Sequence, residues 1–179
     1  TYTVTGTLLG CTSTAVSTVS INASLTVNAG PNDTICFGQS TPLLVTPNGA
    51  GYTYSWTPAA GLSATNIFNP SANPTTTTTY VVVVTDINGC TGNDNVTIYS
   101  DPQINPVVSG NNITCNSACN GSTTVATTGG SNVYTYLWTG GATTATASSL
   151  CPGTYSVTVT DSWGCTATGS TSITQPTLF

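Results

Sequence analysis

The chain of 179 residues has no lysine, arginine, histidine, glutamate or methionine. Charged residues are 3% of it, against roughly 25% in an ordinary soluble domain, and all of them are aspartates: Asp33, Asp86, Asp94, Asp101 and Asp161. Each absence excludes chemistry. Without histidine there is no Ser-His-Asp or Cys-His pair, and zinc or copper lose their commonest ligand. Without lysine there is no Schiff base, no phosphate-binding P-loop and no Lys-Asn cross-link. Without any basic side chain the chain cannot neutralise phosphates, so nucleic acid is not expected as a partner. A net charge of -5 is repelled by an anionic membrane surface. Long apolar runs are absent too, and with them any run of about 20 residues that could cross a bilayer as a helix. The composition therefore reads as a non-enzyme, with no catalytic residue, metal or cofactor. With no initiator methionine and no signal peptide, the chain is expected to be a processed product or a window of a longer polypeptide.

What is present is equally one-sided. Threonine supplies 40 residues and serine 19, so hydroxyl side chains are a third of the chain. Hydrophobic residues are 38%, enough for one or two small cores. Seven cysteines in so charge-poor a chain point to an oxidising compartment and to structural disulfides. Seven is odd, so at least one cysteine lacks a partner within the chain.

The chain repeats itself. Tyr80-Val-Val-Val-Val-Thr-Asp-Ile-Asn-Gly-Cys90 matches Tyr155-Ser-Val-Thr-Val-Thr-Asp-Ser-Trp-Gly-Cys165 at the Tyr, Val, Val, Thr, Asp, Gly and Cys offsets. Tyr2-Thr-Val-Thr-Gly-Thr-Leu-Leu-Gly-Cys11 is a weaker third copy. Tyr52-Thr-Tyr-Ser-Trp56 and Tyr134-Thr-Tyr-Leu-Trp138 form a second pair, each preceding its own Tyr-to-Cys segment. The spacing gives a unit of about 75 residues. It predicts the end strands of an upstream unit over 1–28, one unit over 29–100 and another over 101–179, with short, stiff, proline-containing joints.

Each unit reads as β-structure. Tyr155, Val157 and Val159 alternate with Ser156, Thr158 and Thr160, the period-two pattern of a half-buried strand. Tyr52, Tyr54 and Trp56, like Tyr134, Tyr136 and Trp138, share a face and are expected in a core. Asn88-Gly89 predicts a hairpin with Asp86 capping its turn. Short strands with turns every 8–12 residues predict an all-β fold of tandem β-sandwiches in an elongated array. On position alone Cys36 is assigned to Cys90, and Cys115 to Cys165 with Cys119 to Cys151. An alignment on Cys-x-Gly, equating Cys36 with Cys119, leaves other pairings open. Cys11 sits where Cys90 and Cys165 sit and is expected to be unpaired within the chain.

Residues 29–100 resemble the Ig-like, PKD-like repeats of large surface proteins of gliding bacteria. The likeness lies in Ala29-Gly-Pro-Asn-Asp-Thr-Ile-Cys36, Tyr54-x-Trp56-x-Pro58, Gly61-Leu62 and Thr76-Thr-Thr-Thr-Tyr80 leading to Thr85-Asp86-x-Asn-Gly-Cys90. Residues 113–176 resemble the SprB-type repeat of gliding-motility adhesins, through Ile113-Thr-Cys-Asn-Ser-Ala-Cys-Asn-Gly121, Tyr134-Thr-Tyr-Leu-Trp138, Leu150-Cys-Pro-Gly-Thr-Tyr155 and Ile173-Thr-Gln-Pro176. The resemblance implies tandem Ig-like domains of long adhesin filaments, exported by the type IX system to the bacterial cell surface. It carries no catalytic residue. In repeats of the second kind the outer cysteines commonly occur without the middle two, which supports joining Cys115 to Cys165.

Three further positions are candidates for function. Trp163, at a hairpin tip, could stack on a sugar ring, or fold over its own sheet or against the next unit. Asp33-Thr34-Ile35 resembles the O-glycosylation signal of this bacterial group, which would place a glycan on Thr34; a capped turn before Cys36 is the equal alternative. Asn-x-Ser/Thr sequons stand at Asn22, Asn32, Asn95, Asn112 and Asn120. The functional expectation is an extracellular adhesin segment for adhesion and gliding, a mechanical spacer whose partners are neighbouring repeats, surface polysaccharides or other adhesin chains. The alternatives are a pilus or sheath subunit polymerising by strand exchange, and a glycan-binding module of a secreted enzyme.

Overall fold

A computed structural model of the chain describes residues 1–19 and 24–177; the sequon at Asn22 lies outside them. Among the described residues there is no helix, so none is long and apolar enough to cross a membrane. The strands fall into three groups. The first is a hairpin of β1 (Tyr2–Leu8) and β2 (Cys11–Ser17), paired from Tyr2↔Ser17 to Leu8↔Cys11 and exposed along its whole length.

The second group is a sandwich built from β3 (Asp33–Ile35), β4 (Thr41–Pro42), β5 (Tyr52–Thr57), β6 (Ser71–Ala72), β7 (Thr78–Asp86) and β8 (Thr91–Ser100). Its main sheet has the order β3-β8-β7-β5, and β4 and β6 form the small sheet facing it. In β7 the alternation seen in the sequence becomes a pleat: Tyr80, Val82 and Val84 are buried while Val81 and Val83 face out. Trp56 lies 1% exposed in this core, and its indole N–H donates to the Ile67 carbonyl at 2.9 Å. Burying the ring while satisfying its one donor is what lets tryptophan occupy a core position. Tyr52 and Tyr54 flank it, half-buried.

The third group repeats the plan with β9 (Asn105–Asn111), β10 (Gly121–Thr128), β11 (Tyr134–Trp138), β12 (Thr146–Leu150), β13 (Gly153–Asp161) and β14 (Thr166–Ile173). Sheet β12-β10-β9 packs on sheet β11-β13-β14. Val125, Trp138, Ala147, Val157 and Val159 form its core, and the Trp138 indole donates to Thr144 O at 2.9 Å.

One boundary differs from the sequence expectation. Leu25 and Val27, assigned to the upstream unit, pack against the core of the first sandwich, and Asn28 bridges to Thr46. The first module therefore takes in residues 25–28. Repeat matching missed them because this stretch has no counterpart in the quoted copies.

Candidate functional site: the joint between the modules

The two sandwiches meet where β8 ends and the chain crosses to β9. The geometry starts from the hairpins. In the first module the Asp86 carboxylate accepts from the N–H groups of Asn88 and Cys90 at 2.9 and 2.8 Å. In the second, Asp161 Oδ1 accepts from Trp163 and Cys165 at 2.9 and 3.0 Å. Gly89 and Gly164 take the same positive φ of 82°. Cys90 and Cys165 thus stand at equivalent places, and in both modules the hairpin lies at the pole where the module begins.

The cysteine near the start of the first module lies at the opposite pole. β3 runs parallel to β8, with Ile35 beside Ser100, so Cys36 sits just beyond the C-terminal end of β8. Cys90 immediately precedes Thr91, the first residue of β8. Ten strand residues at roughly 3.3 Å each separate them by about 33 Å, far beyond the ~7 Å between Cα atoms that a disulfide tolerates. Cys115 and Cys165 are separated in the same way: Ile113 donates to Thr174 O, past the end of β14, whereas Cys165 precedes its first residue. The assignments Cys36–Cys90 and Cys115–Cys165 are therefore corrected.

In the structure Cys36 is bonded to Cys165, with Cα atoms 5.5 Å apart, and Cys119 to Cys151. The first of these bonds crosses from one module to the next. Cys11 and Cys115 are exposed thiols. Cys115 repeats the local setting of Cys36: each carbonyl accepts from the residue three further on, Gln39 or Ala118, and each turn has a positive φ at its third residue, Gly38 or Ser117.

Further groups close the joint. The Asp101 N–H donates to Ile35 O of the first module, and the next carbonyl, of Pro102, accepts from Gly130 of the second. Gly129 has φ +79°, and a methyl group there would run into the Gln103 carbonyl, so this close approach requires glycine. The Asp101 side chain is 1% exposed and faces Asp161, 6% exposed. Neither oxygen of Asp101 receives a hydrogen bond from a donor among the described residues. Burial, then the neighbouring Asp161 carboxyl, pushes Asp101 up to about 6. Burial also acts to raise Asp161, but the neighbouring Asp101 carboxyl and hydrogen bonds from the N–H groups of Ser131, Cys165 and Trp163 outweigh it and hold Asp161 below the ordinary carboxylate value.

The remaining candidates lie elsewhere in this frame. Trp163 is half exposed, on the tip of the hairpin that carries Cys165. Thr34 is exposed on β3; its N–H donates to Asp33 Oδ1, while Thr41 Oγ1 donates to Asp33 Oδ2 at 2.6 Å. Asp33 is thus engaged by its own turn. The cleft beside the joint disulfide, bounded by Phe37, Pro102 and Ala167, has a volume of about 180 Å³. That is below the roughly 300–1,000 Å³ of small-molecule pockets. The joint is built to hold two modules together rather than to enclose a ligand.

No family model matches the chain, and no curated protein matches it. Solved structures do. The C-terminal 282-residue fragment of intimin, determined in complex with the intimin-binding domain of the translocated intimin receptor, superposes with a TM-score of 0.58 at 14% identity. The match covers 86% of this chain and 64% of that one. The N-terminal eight Ig domains of Down Syndrome Cell Adhesion Molecule superpose with a TM-score of 0.60 at 12% identity, over 83% of this chain and 27% of that one. The chain thus spans under two thirds of each of these relatives. At such identities the likeness concerns architecture, and the architecture is that of tandem Ig-like β-sandwiches stapled by disulfides.

Proposed function

We propose that this chain is a repeat segment of a long, secreted cell-surface adhesin filament of the SprB-type, gliding-motility kind. Its work is mechanical: it carries an adhesive site away from the cell and transmits traction along the chain. The observation that carries this reading is the Cys36–Cys165 bond, which makes the connection between successive modules covalent at a second point. A tension path through the joint then divides between the backbone at Asp101-Pro102 and the disulfide, so the joint resists bending and extension. The composition agrees, since a chain without lysine or arginine offers no site to trypsin-like proteases. Two structural neighbours are by name an intimin fragment bound to its receptor domain and a cell adhesion molecule, which suits a role in contact with other proteins or surfaces outside the cell. The exposed Cys115, in the local setting of Cys36, extends the same joint chemistry to the far pole of the second module.

A second reading rests on the β1–β2 hairpin, whose residues are exposed on both faces, Val4 and Leu8 among them. Its counterparts β7–β8 and β13–β14 bury one face against a facing sheet. A hairpin of this kind could complete the sheet of another subunit in a strand-exchange filament. The mass of the native polypeptide, denatured and reduced, separates the two readings. A mass many times 18.0 kDa is expected for a window in a repeat array; a mass near 18.0 kDa would overturn it and favour strand exchange.

A further inference from the structure

We propose that Asp101 and Asp161 form a carboxyl pair that binds one proton between them and latches the joint between the two modules. Asp101 is the residue at which the chain leaves the first module: its N–H is bonded to Ile35 O, and its side chain is buried against the end of β13 in the second. The ligand oxygens of the two aspartates lie within 4.8 Å of each other. Asp161 is supplied with donors, through Trp163 and Cys165 at Oδ1 and Ser131 at Oδ2. Asp101 has none among the described residues. A buried carboxylate without a donor, beside a second carboxylate, is strongly disfavoured, and no lysine, arginine or histidine exists in the chain to neutralise it. One proton removes both problems. It makes Asp101 neutral and gives it an O–H that donates to the Asp161 carboxylate, the better-solvated of the pair.

A metal ion fits less well. The third group near the pair, Cys165 Sγ, is committed to the disulfide. The three N–H dipoles on Asp161 repel a cation, and two carboxylates fall far short of the six to eight oxygens that calcium takes. The groups facing the pair from the other elements carry no charge. Cys36 and Cys165 are bonded to each other, Ser131 and Gln103 are neutral, and the Tyr134 hydroxyl donates to Gly129 O.

The direction of the pH effect follows. Asp101 holds its proton up to about 6 when buried and releases it near its ordinary 3.8 when the joint is open. The latch is therefore fully closed below about pH 4, weakens as the pH rises to about 6, and stays at its weaker plateau above that. Between about pH 4 and 6, opening releases up to one proton to water and involves no electron transfer.

The test uses the full, disulfide-intact chain with ¹³C-labelled aspartates, followed by NMR from acidic to neutral pH, with thermal unfolding measured over the same range. One carboxyl should titrate near pH 6 and be missing from Asp101→Asn, and the unfolding temperature should fall from about pH 4 to 6 in the wild type but stay flat in the variant. If Asp101→Asn does not fold, Asp161→Asn serves: its amide donates to Asp101, so the midpoint near 6 should move down. Five carboxyls all titrating below pH 5 would overturn the proposal. So would a midpoint near 6 that Asp161→Asn leaves in place. Calcium or magnesium chloride that raises the unfolding temperature of the wild type but not of Asp101→Asn would show a cation site in place of the proton.

Discussion

At the scale of residues, the tryptophans illustrate what side chains of one type do in different places. Trp56 and Trp138 occur at the same offset in two copies of one motif, each fills a core, and each donates its indole N–H to a loop carbonyl. Trp163 stands on a hairpin tip, half exposed. Trp138→Ala should therefore cost about 3–5 kcal/mol of unfolding free energy in a urea titration, and Trp163→Ala no more than about 0.5 kcal/mol. A loss above about 2 kcal/mol at Trp163 would show that its ring packs rather than stands ready for a ligand. The core tryptophans were legible in the sequence because they share a face with two tyrosines of the same strand, and the turn-capping Asp86 because its partners Asn88 and Cys90 lie within the same short motif. Asp101 was not. An Asp-Pro pair between repeats looks like an exposed linker, and its burial arises from a module that begins only after it.

At the scale of elements, the strands follow from the period-two pattern, and a pair of substitutions tests the pleat. Val82 is fully buried in β7 while Val81 is 38% exposed on the opposite face. Val82→Thr puts a hydroxyl into the first core and should cost about 1–3 kcal/mol. Val81→Thr should change stability by no more than about 0.5 kcal/mol, with both read from thermal or urea unfolding. Equal losses would mean that the register of β7 against β5 and β8 is wrong. The element that the sequence hid is β3. Three residues are too few to show a period, and nothing local says that they run parallel to the last strand of their module. That one pairing carries Cys36 to the far pole and decides which cysteines can meet. The Cys119–Cys151 bond was legible because, once the outer positions are set aside, these two remain in one module.

At the scale of the whole molecule, the joint is what turns two sandwiches into a unit of an array. The Cys36–Cys165 bond closes a loop with a sequence separation of 129. On the chain-entropy estimate such a closure stabilises by about 5 kcal/mol. Each module keeps its own core without it. A Cys36→Ser, Cys165→Ser double variant should thus leave both sandwiches folded but let them unfold in two separate calorimetric transitions, with small-angle scattering showing a wider spread of module orientations. A variant that loses one sandwich altogether would mean that the disulfide belongs to the folding of a module rather than to the joint.

The most direct test of the stapled joint is a peptide map of the unreduced native chain. With no lysine or arginine for trypsin, digestion needs pepsin or chymotrypsin, followed by mass spectrometry of the linked peptides before and after reduction. The account predicts one linked pair containing Cys36 and Cys165 and a second containing Cys119 and Cys151. A linked pair containing Cys36 and Cys90, with Cys115 joined to Cys165, would contradict it: each sandwich would then be closed within itself, and the connection between modules would be the backbone alone.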